Sequence, residues 1–175
     1  MDIIEKRKSI RTYSERQVDR KLAGEVLQLA GQSPSWKNLQ PWRFILVDDP
    51  EIKQALADCI PEGNPGKPAV IQAPCAVAVV GNPEESGTMD DRPYYLVDCG
   101  IAFATLMLAA KDRGLDTCFI GYLDEKKALD VLGVPSTFRL VGLTPLGYGE
   151  PPEKEKPRRP MKENAFLNRF GKEIS

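Results

Sequence analysis

Ser33-Pro34-Ser35-Trp36-Lys37-Asn38-Leu39-Gln40-Pro41-Trp42-Arg43-Phe44 is the stretch whose reading decides the fold. Two prolines, two tryptophans, two serines and two side-chain amides fall within twelve residues. A helical pattern precedes them. The apolar run Phe44-Ile45-Leu46-Val47 follows, too short for a helix and best read as a buried strand. Amides and hydroxyls supply the donors and acceptors that grip the polar edge of a flat heterocycle. The prolines would present them from extended backbone. A turn-rich connection whose tryptophans plug a core has the same composition.

Outward from this stretch the chain alternates helical and strand-like patterns. Asp19 precedes a helix with Leu22, Val26, Leu27, Leu29 and Ala30 on one side, ending at Gly31. Downstream, Asp49-Pro50 is a cap with proline at the first helical position, followed by Ile52, Ala55, Leu56 and Cys59 at helical spacing. Pro61 to Pro68, with Asn64 and Lys67, reads as a flexible connection at a site rim. Cys75 to Val80 is a second buried strand, stopped by Gly81-Asn82-Pro83, and the polar stretch through Asp91 reads as mobile.

After Pro93 the residues from Leu96 to Ala110 leave almost no polar face, the mark of a helix buried in a core or a subunit interface. Gly114 ends it. Thr117 to Ile120 is a third strand, Asp124 caps a short helix closed by Gly133, and Phe138 to Leu146 is a fourth strand. From Glu150 the composition turns to proline and charge, which taken alone is a solvated extension. At the other end, Asp2 and Glu5 have capping-box spacing ahead of Arg7-Lys8-Ser9-Ile10-Arg11. Three cations and a hydroxyl in five residues suit a phosphate monoester, although a basic pentapeptide taken alone is usually a solvated face.

At 175 residues, 42% hydrophobic, the chain has the size of one domain over 1–175, with a core to 149 and an extension over 150–175. Its 24 basic and 25 acidic residues nearly cancel, so no global field favours nucleic acid or an anionic membrane. No signal pattern and no bilayer-length apolar run is evident, and a cytoplasmic protein is expected. Cys59, Cys75, Cys99 and Cys118 are widely spaced in apolar settings and read as buried thiols. Histidine is absent, which removes Ser-His-Asp and Cys-His systems and the common zinc sites. Any chemistry must come with a bound cofactor, unless there is none at all.

Four motifs in order, Arg7-x-Ser9-x-Arg11, Pro34-Ser35-x-x-Asn38-x-Gln40-Pro41-Trp42, the apolar helix running into Thr117-Cys118-Phe119-Ile120-Gly121, and Pro157-Arg158-Arg159-Pro160, resemble those of the nitroreductase family of flavin enzymes. The resemblance runs from Arg7 to Arg159. It implies an α+β fold, a three-layer α/β/α sandwich around a mostly antiparallel sheet of four to five strands, with an extended C-terminal tail packing on a partner subunit. It further implies a homodimer with FMN at the interface. Arg7, Lys8, Ser9 and Arg11 would hold the phosphate and ribityl chain, and Pro34, Ser35 and Asn38 would reach the flavin of the other subunit. Ile120 and Gly121 would bring a backbone N–H to flavin N5, and Arg158 and Arg159 would close on the phosphate. The implied activity is ping-pong hydride transfer from NADH or NADPH to a nitroaromatic, quinone or similar acceptor. No nucleophile or general base, metal, nucleic acid or membrane partner is implied. A non-catalytic FMN-binding protein of the same fold, or a scaffold using the proline-rich tail, are the rival expectations.

Overall fold

Apolar runs rich in valine, isoleucine and leucine pair into one antiparallel sheet, and the amphipathic segments between them cover its two faces. The computed structural model describes residues 2–150 and 157–174. In chain order these form α1 (Asp2–Lys6), α2 (Arg20–Ala30), a single 3-10 turn at Trp36–Asn38, β1 (Trp42–Val47), α3 (Pro50–Ala57), α4 (Gly66–Gln72) and β2 (Cys75–Gly81). A turn at Pro83–Glu85 leads to β3 (Thr88–Met89) and β4 (Arg92–Pro93), then α5 (Tyr94–Asp112), β5 (Asp116–Thr117), α6 (Glu125–Val131), β6 (Arg139–Gly147) and α7 (Met161–Asn164). The main sheet has the order β1-β2-β6-β5, with every pairing antiparallel.

β2 is buried along its whole length and shows how the layers form. Side chains alternate across a strand. Cys75, Val77 and Val79 therefore join one core with Ala23 and Val26 of α2 and Cys99, Phe103 and Leu106 of α5. Ala76 and Ala78 face the other way, into a second core with Leu56 of α3, Val70 of α4 and Ala128 of α6. The result is a three-layer α/β/α sandwich of the α+β class, as expected.

The helix starts follow the capping chemistry. Asp19 accepts from the Lys21 N–H at 2.8 Å, Asp49 from those of Glu51 and Ile52 at 2.8 and 3.2 Å, and Asp124 from that of Lys127 at 3.0 Å. Gly114 and Gly133 take left-handed φ of 73° and 63° just past α5 and α6, a conformation glycine adopts without steric cost. All four cysteines are buried. Burial, with Asp98 beside it, pushes the Cys99 thiol up to about 12.

The structure corrects three expectations. Pro61 to Pro68 is not wholly a connection, because α4 begins at Gly66; Pro68 sits in its first turn, where its missing N–H would have found no helical partner. The polar stretch ending at Asp91 forms the β3–β4 hairpin, turned by Asp90 and Asp91 at φ of 49° and 60°. α5 buries one side against the sheet and α2, and in the single chain leaves the other uncovered: Leu96, Val97 and Ile101 are 46%, 53% and 38% exposed, forming a stripe with Gly100 and Ala104. α5 also has the length and apolarity of a membrane span, with mean hydropathy 1.3, although it packs against the sheet and α2 and carries the buried Asp98.

The start of the proline-rich tail, residues 151–156, lies outside the described residues. Beyond it Arg158, Arg159 and α7 are exposed, as is Phe170, whose ring meets Phe166 at 4.7 Å. Among the described residues no hydrogen bond or ion pair ties Arg158 or Arg159 to the core.

Candidate functional site

The N-terminal cations are carried on a strand-like segment annealed to the edge of the sheet. Ser9 bridges Thr117 in parallel, and the Ile10 N–H donates to the Thr117 carbonyl at 3.0 Å. Tyr13 bridges Gly149. Its hydroxyl donates to the Ile10 carbonyl at 2.9 Å, and burial pushes that phenol far above its ordinary range. Ile10 and Tyr13 pack on Ala69 of α4 and on Ala73 just past its end, which fixes the segment from below.

Alternation about the Ser9 bridge puts Ser9 and Arg11 on one side and Lys8 with Ile10 on the other, while Arg7 closes α1, its N–H donating to the Ile3 carbonyl at 2.8 Å. Lys8 and Ile10 line a pocket of about 380 Å3 with Glu5, Lys6, Lys111, Asp116 and Gly149, where Lys111 pairs with Asp116 at 2.7 Å. Lys8 is therefore brought to a different side from Ser9. Arg11 is exposed and spends one N–H on the Ser9 carbonyl at 3.2 Å, which among the described residues leaves most of its planar fork of donors unspent.

The same stretch continues from Thr117 to the Ile120–Gly121 pair. The Ile120 N–H donates to the Leu143 carbonyl at 2.8 Å, and the Leu143 N–H returns the bond at 2.9 Å. The Ile120 amide is therefore spent on the sheet. Gly121 is exposed, and among the described residues its N–H donates to no backbone or side-chain acceptor. Gly66 at the start of α4 lies against Ile120, where an added Cβ would come within 2.8 Å of the isoleucine Cδ1. Asn64 caps the Gly66 N–H at 2.9 Å, while Lys67 pairs with Glu62 and Asp58. Asn64 thus stands beside Ile120; Lys67 is held by carboxylates.

The loop of residues 33–41 sits elsewhere, lying along α5 with Ser33 at Thr105 and Trp36 at Asp98 near the N-terminal end. Ser33 donates to the Thr105 hydroxyl at 2.8 Å, and the Trp36 N–H donates to Asp98 at 2.9 Å. Trp36 stacks on Tyr94 with centroids 5.7 Å apart, and Gly87 lies so close that an added Cβ would be 2.5 Å from the indole. Ser35 accepts from the Gln40 N–H at 2.9 Å, and the Gln40 amide donates to Asn38 at 3.1 Å. Gln40 is thus spent inside the loop, while Asn38 and Pro34 are exposed. Lys37, Asn38 and Gln40 hold left-handed φ of 50°, 58° and 51°, conformations costing on the order of 1 kcal/mol each outside glycine. Only a firmly anchored loop keeps them.

Asp98 is that anchor, and the sequence reading passed over it. It is 2% exposed, and it accepts from Trp36 and from the Ser86 hydroxyl at 3.2 Å, joining the loop to the segment before the hairpin. Its signal was present as the one acid inside the most apolar segment. Asp98→Ala leaves the Trp36 N–H without its partner and is expected to cost about 1–3 kcal/mol, read as a lowered denaturation midpoint together with a red-shifted Trp36 emission.

In one chain the loop and the N-terminal cations lie toward opposite ends of α5. Asp98 and Lys111 are thirteen residues apart, or about 20 Å at the helical rise. The structure brings Ser9 to the Thr117–Gly121 stretch, but does not bring Ser35 or Asn38 to Arg11. Among the described residues no group of three or more acids or cysteines could cage a metal.

An antiparallel sheet between helical layers, edged by a basic N-terminal strand beside an unspent backbone amide, defines the architectural class. The family model described as Nitroreductase family matches residues 4–148, and the chain belongs to that family. A protein of Archaeoglobus fulgidus with the provisional name NADH dehydrogenase/NAD(P)H nitroreductase is 30% identical over 162 residues, covering 89% of this chain and 87% of its own length. The crystal structure of a nitroreductase family protein from Clostridium novyi NT superposes with a TM-score of 0.81 at 34% identity, over 98% of this chain and 94% of that one. An FMN-dependent nitroreductase from Clostridium difficile R20291 superposes with a TM-score of 0.81 at 26% identity, over 96% of this chain and 98% of that one.

The donor set present fits FMN. An exposed planar cation beside a serine hydroxyl suits a phosphate monoester, and an exposed backbone N–H at the end of the same edge suits a ring nitrogen.

Proposed function

We propose that this chain is an FMN-dependent oxidoreductase that takes a hydride from NADH or NADPH and passes it to a small acceptor of the nitroaromatic or quinone class. The observation that carries this reading is the edge of the sheet. Ser9, two residues before Arg11, is bridged to Thr117, and four residues further on stands Gly121 with its amide unspent among the described residues, so phosphate and ring donors sit on neighbouring segments of one sheet edge. Bound FMN supplies the hydride chemistry, which amino-acid side chains do not provide.

The polypeptide's part is to bind and orient. Arg7 and Arg11 neutralise the phosphate, with Ser9 donating its hydroxyl; Arg158 and Arg159 close on it from the tail. The Gly121 N–H donates to the ring, held in place because Ile120 is locked to Leu143 on both sides of its peptide. Pro34, Ser35 and Asn38 come from a second copy. Two observations support that sharing: the separation along α5, and the uncovered stripe of Leu96, Val97, Gly100, Ile101 and Ala104 between the two motifs.

Purified protein mixed with FMN and desalted is expected to retain one flavin per chain, and to oxidise NADH or NADPH once a quinone or nitroaromatic is added. Protein that retains no flavin would overturn the reading. Retention without oxidation of either nucleotide would leave a binding protein of the same fold.

A further inference from the structure

Lys37 is the only charged residue between Gly31 and Trp42, and it is exposed at the tip of the anchored loop, next to Asn38. Its backbone is left-handed at φ 50°, which turns the side chain back over the preceding residue: the ammonium lies 4.5 Å from the Trp36 ring. Beneath it the indole is held by Tyr94, by Gly87 and, through its own backbone N–H, by buried Asp98. Among the described residues no carboxylate pairs with Lys37. The loop therefore presents a cation on a fixed aromatic plate, with its charge unneutralised by protein.

We propose that the Trp36–Lys37 pair sets acceptor specificity, favouring flat aromatic acceptors that bear a carboxylate or another negative group. This deepens the functional reading above and rests on it, since Asn38 beside Lys37 is taken to border the partner copy's flavin. A flexible lysine on a mobile loop would lose most of such a preference to side-chain entropy and screening. Here the loop is already ordered and the ammonium already lies over the indole, so less ordering remains when an anion binds. The cation holds the acceptor's anionic group, and the exposed edge of Trp36 covers its ring.

The test is calorimetric titration of the FMN-loaded, oxidised protein with para-nitrobenzoate, its neutral counterpart para-nitrobenzyl alcohol, and NAD+. Lys37→Gln is expected to weaken para-nitrobenzoate about fivefold and para-nitrobenzyl alcohol less than about twofold, and Lys37→Arg to restore the difference. Equal weakening of both aromatics, or of neither, would overturn the proposal. Weakening of NAD+ alone would overturn it too, assigning Lys37 to the donor's pyrophosphate. The titration needs no turnover. A protein that binds the aromatics as expected but oxidises no nucleotide keeps this proposal and loses the enzymatic reading, whereas one that takes up no FMN loses both.

Discussion

Arg11→Glu is expected to lower FMN affinity about 100-fold while leaving the fold intact. A charge-assisted hydrogen bond to a phosphate is worth about 1.5–3 kcal/mol, and reversing the charge adds repulsion, so a loss near 3 kcal/mol corresponds to that factor. The fold should not notice. Arg11 is exposed, and its one hydrogen bond among the described residues goes to the Ser9 carbonyl two residues away. Fluorescence titration of FMN reads the affinity, and far-ultraviolet circular dichroism reads the fold. Lys8→Glu is the informative contrast: its side chain lines the pocket with Lys6 and Lys111 on the other side of the strand, so its effect on FMN should be well under that of Arg11→Glu. Equal effects of the two, or none from Arg11→Glu, would move the phosphate elsewhere.

The second large effect belongs to α5. Placing acids on its uncovered stripe, as Ile101→Asp with Ala104→Glu, puts charge where the account seats a second copy. Uncompensated buried charge costs several kcal/mol, so the dimer dissociation constant should rise at least about 100-fold. Sedimentation velocity would then show monomer at concentrations where the parent is a dimer. Flavin retention should fall with it, because the loop carrying Ser35 and Asn38 is supplied from across that face. The monomer should still fold, since Cys99, Ala102, Phe103 and Leu106 on the opposite side of α5 keep their contacts with the sheet. An unchanged sedimentation coefficient with full flavin content would show that this stripe is not the interface.

Much of the fold was legible because its local rules are strong. Asp19, Asp49 and Asp124 cap the helices they were expected to start, and the four apolar runs are four places in one sheet. α4 was missed because proline and glycine dominate its start, and their cost disappears in a first turn. β5 is shorter than the run that suggested it, since only Asp116 and Thr117 pair as strand and Ile120 adds an isolated bridge to Leu143. Sequence alone also could not divide Ile120 from Gly121: which amide is spent depends on that tertiary pairing. Nor could it separate Lys8 from its neighbours, because the pairing of Ser9 with Thr117 decides which side each residue takes. Asp98 was visible as a charge in an apolar run, but its role depends on Trp36 and Ser86 folding onto it from two other segments.

Each flavin site should take its cations from one copy and its loop from another, and mixed dimers distinguish this from a site built within one chain. One chain carries Arg11→Glu with its loop intact, and the other carries Asn38→Ala with Ser35→Ala and its cations intact. Neither homodimer should retain FMN. If sites are shared, the purified mixed dimer regains one complete site, and its visible absorbance should correspond to one flavin per dimer. A mixed dimer as colourless as its two parents would place both halves of the site within a single chain and contradict the account.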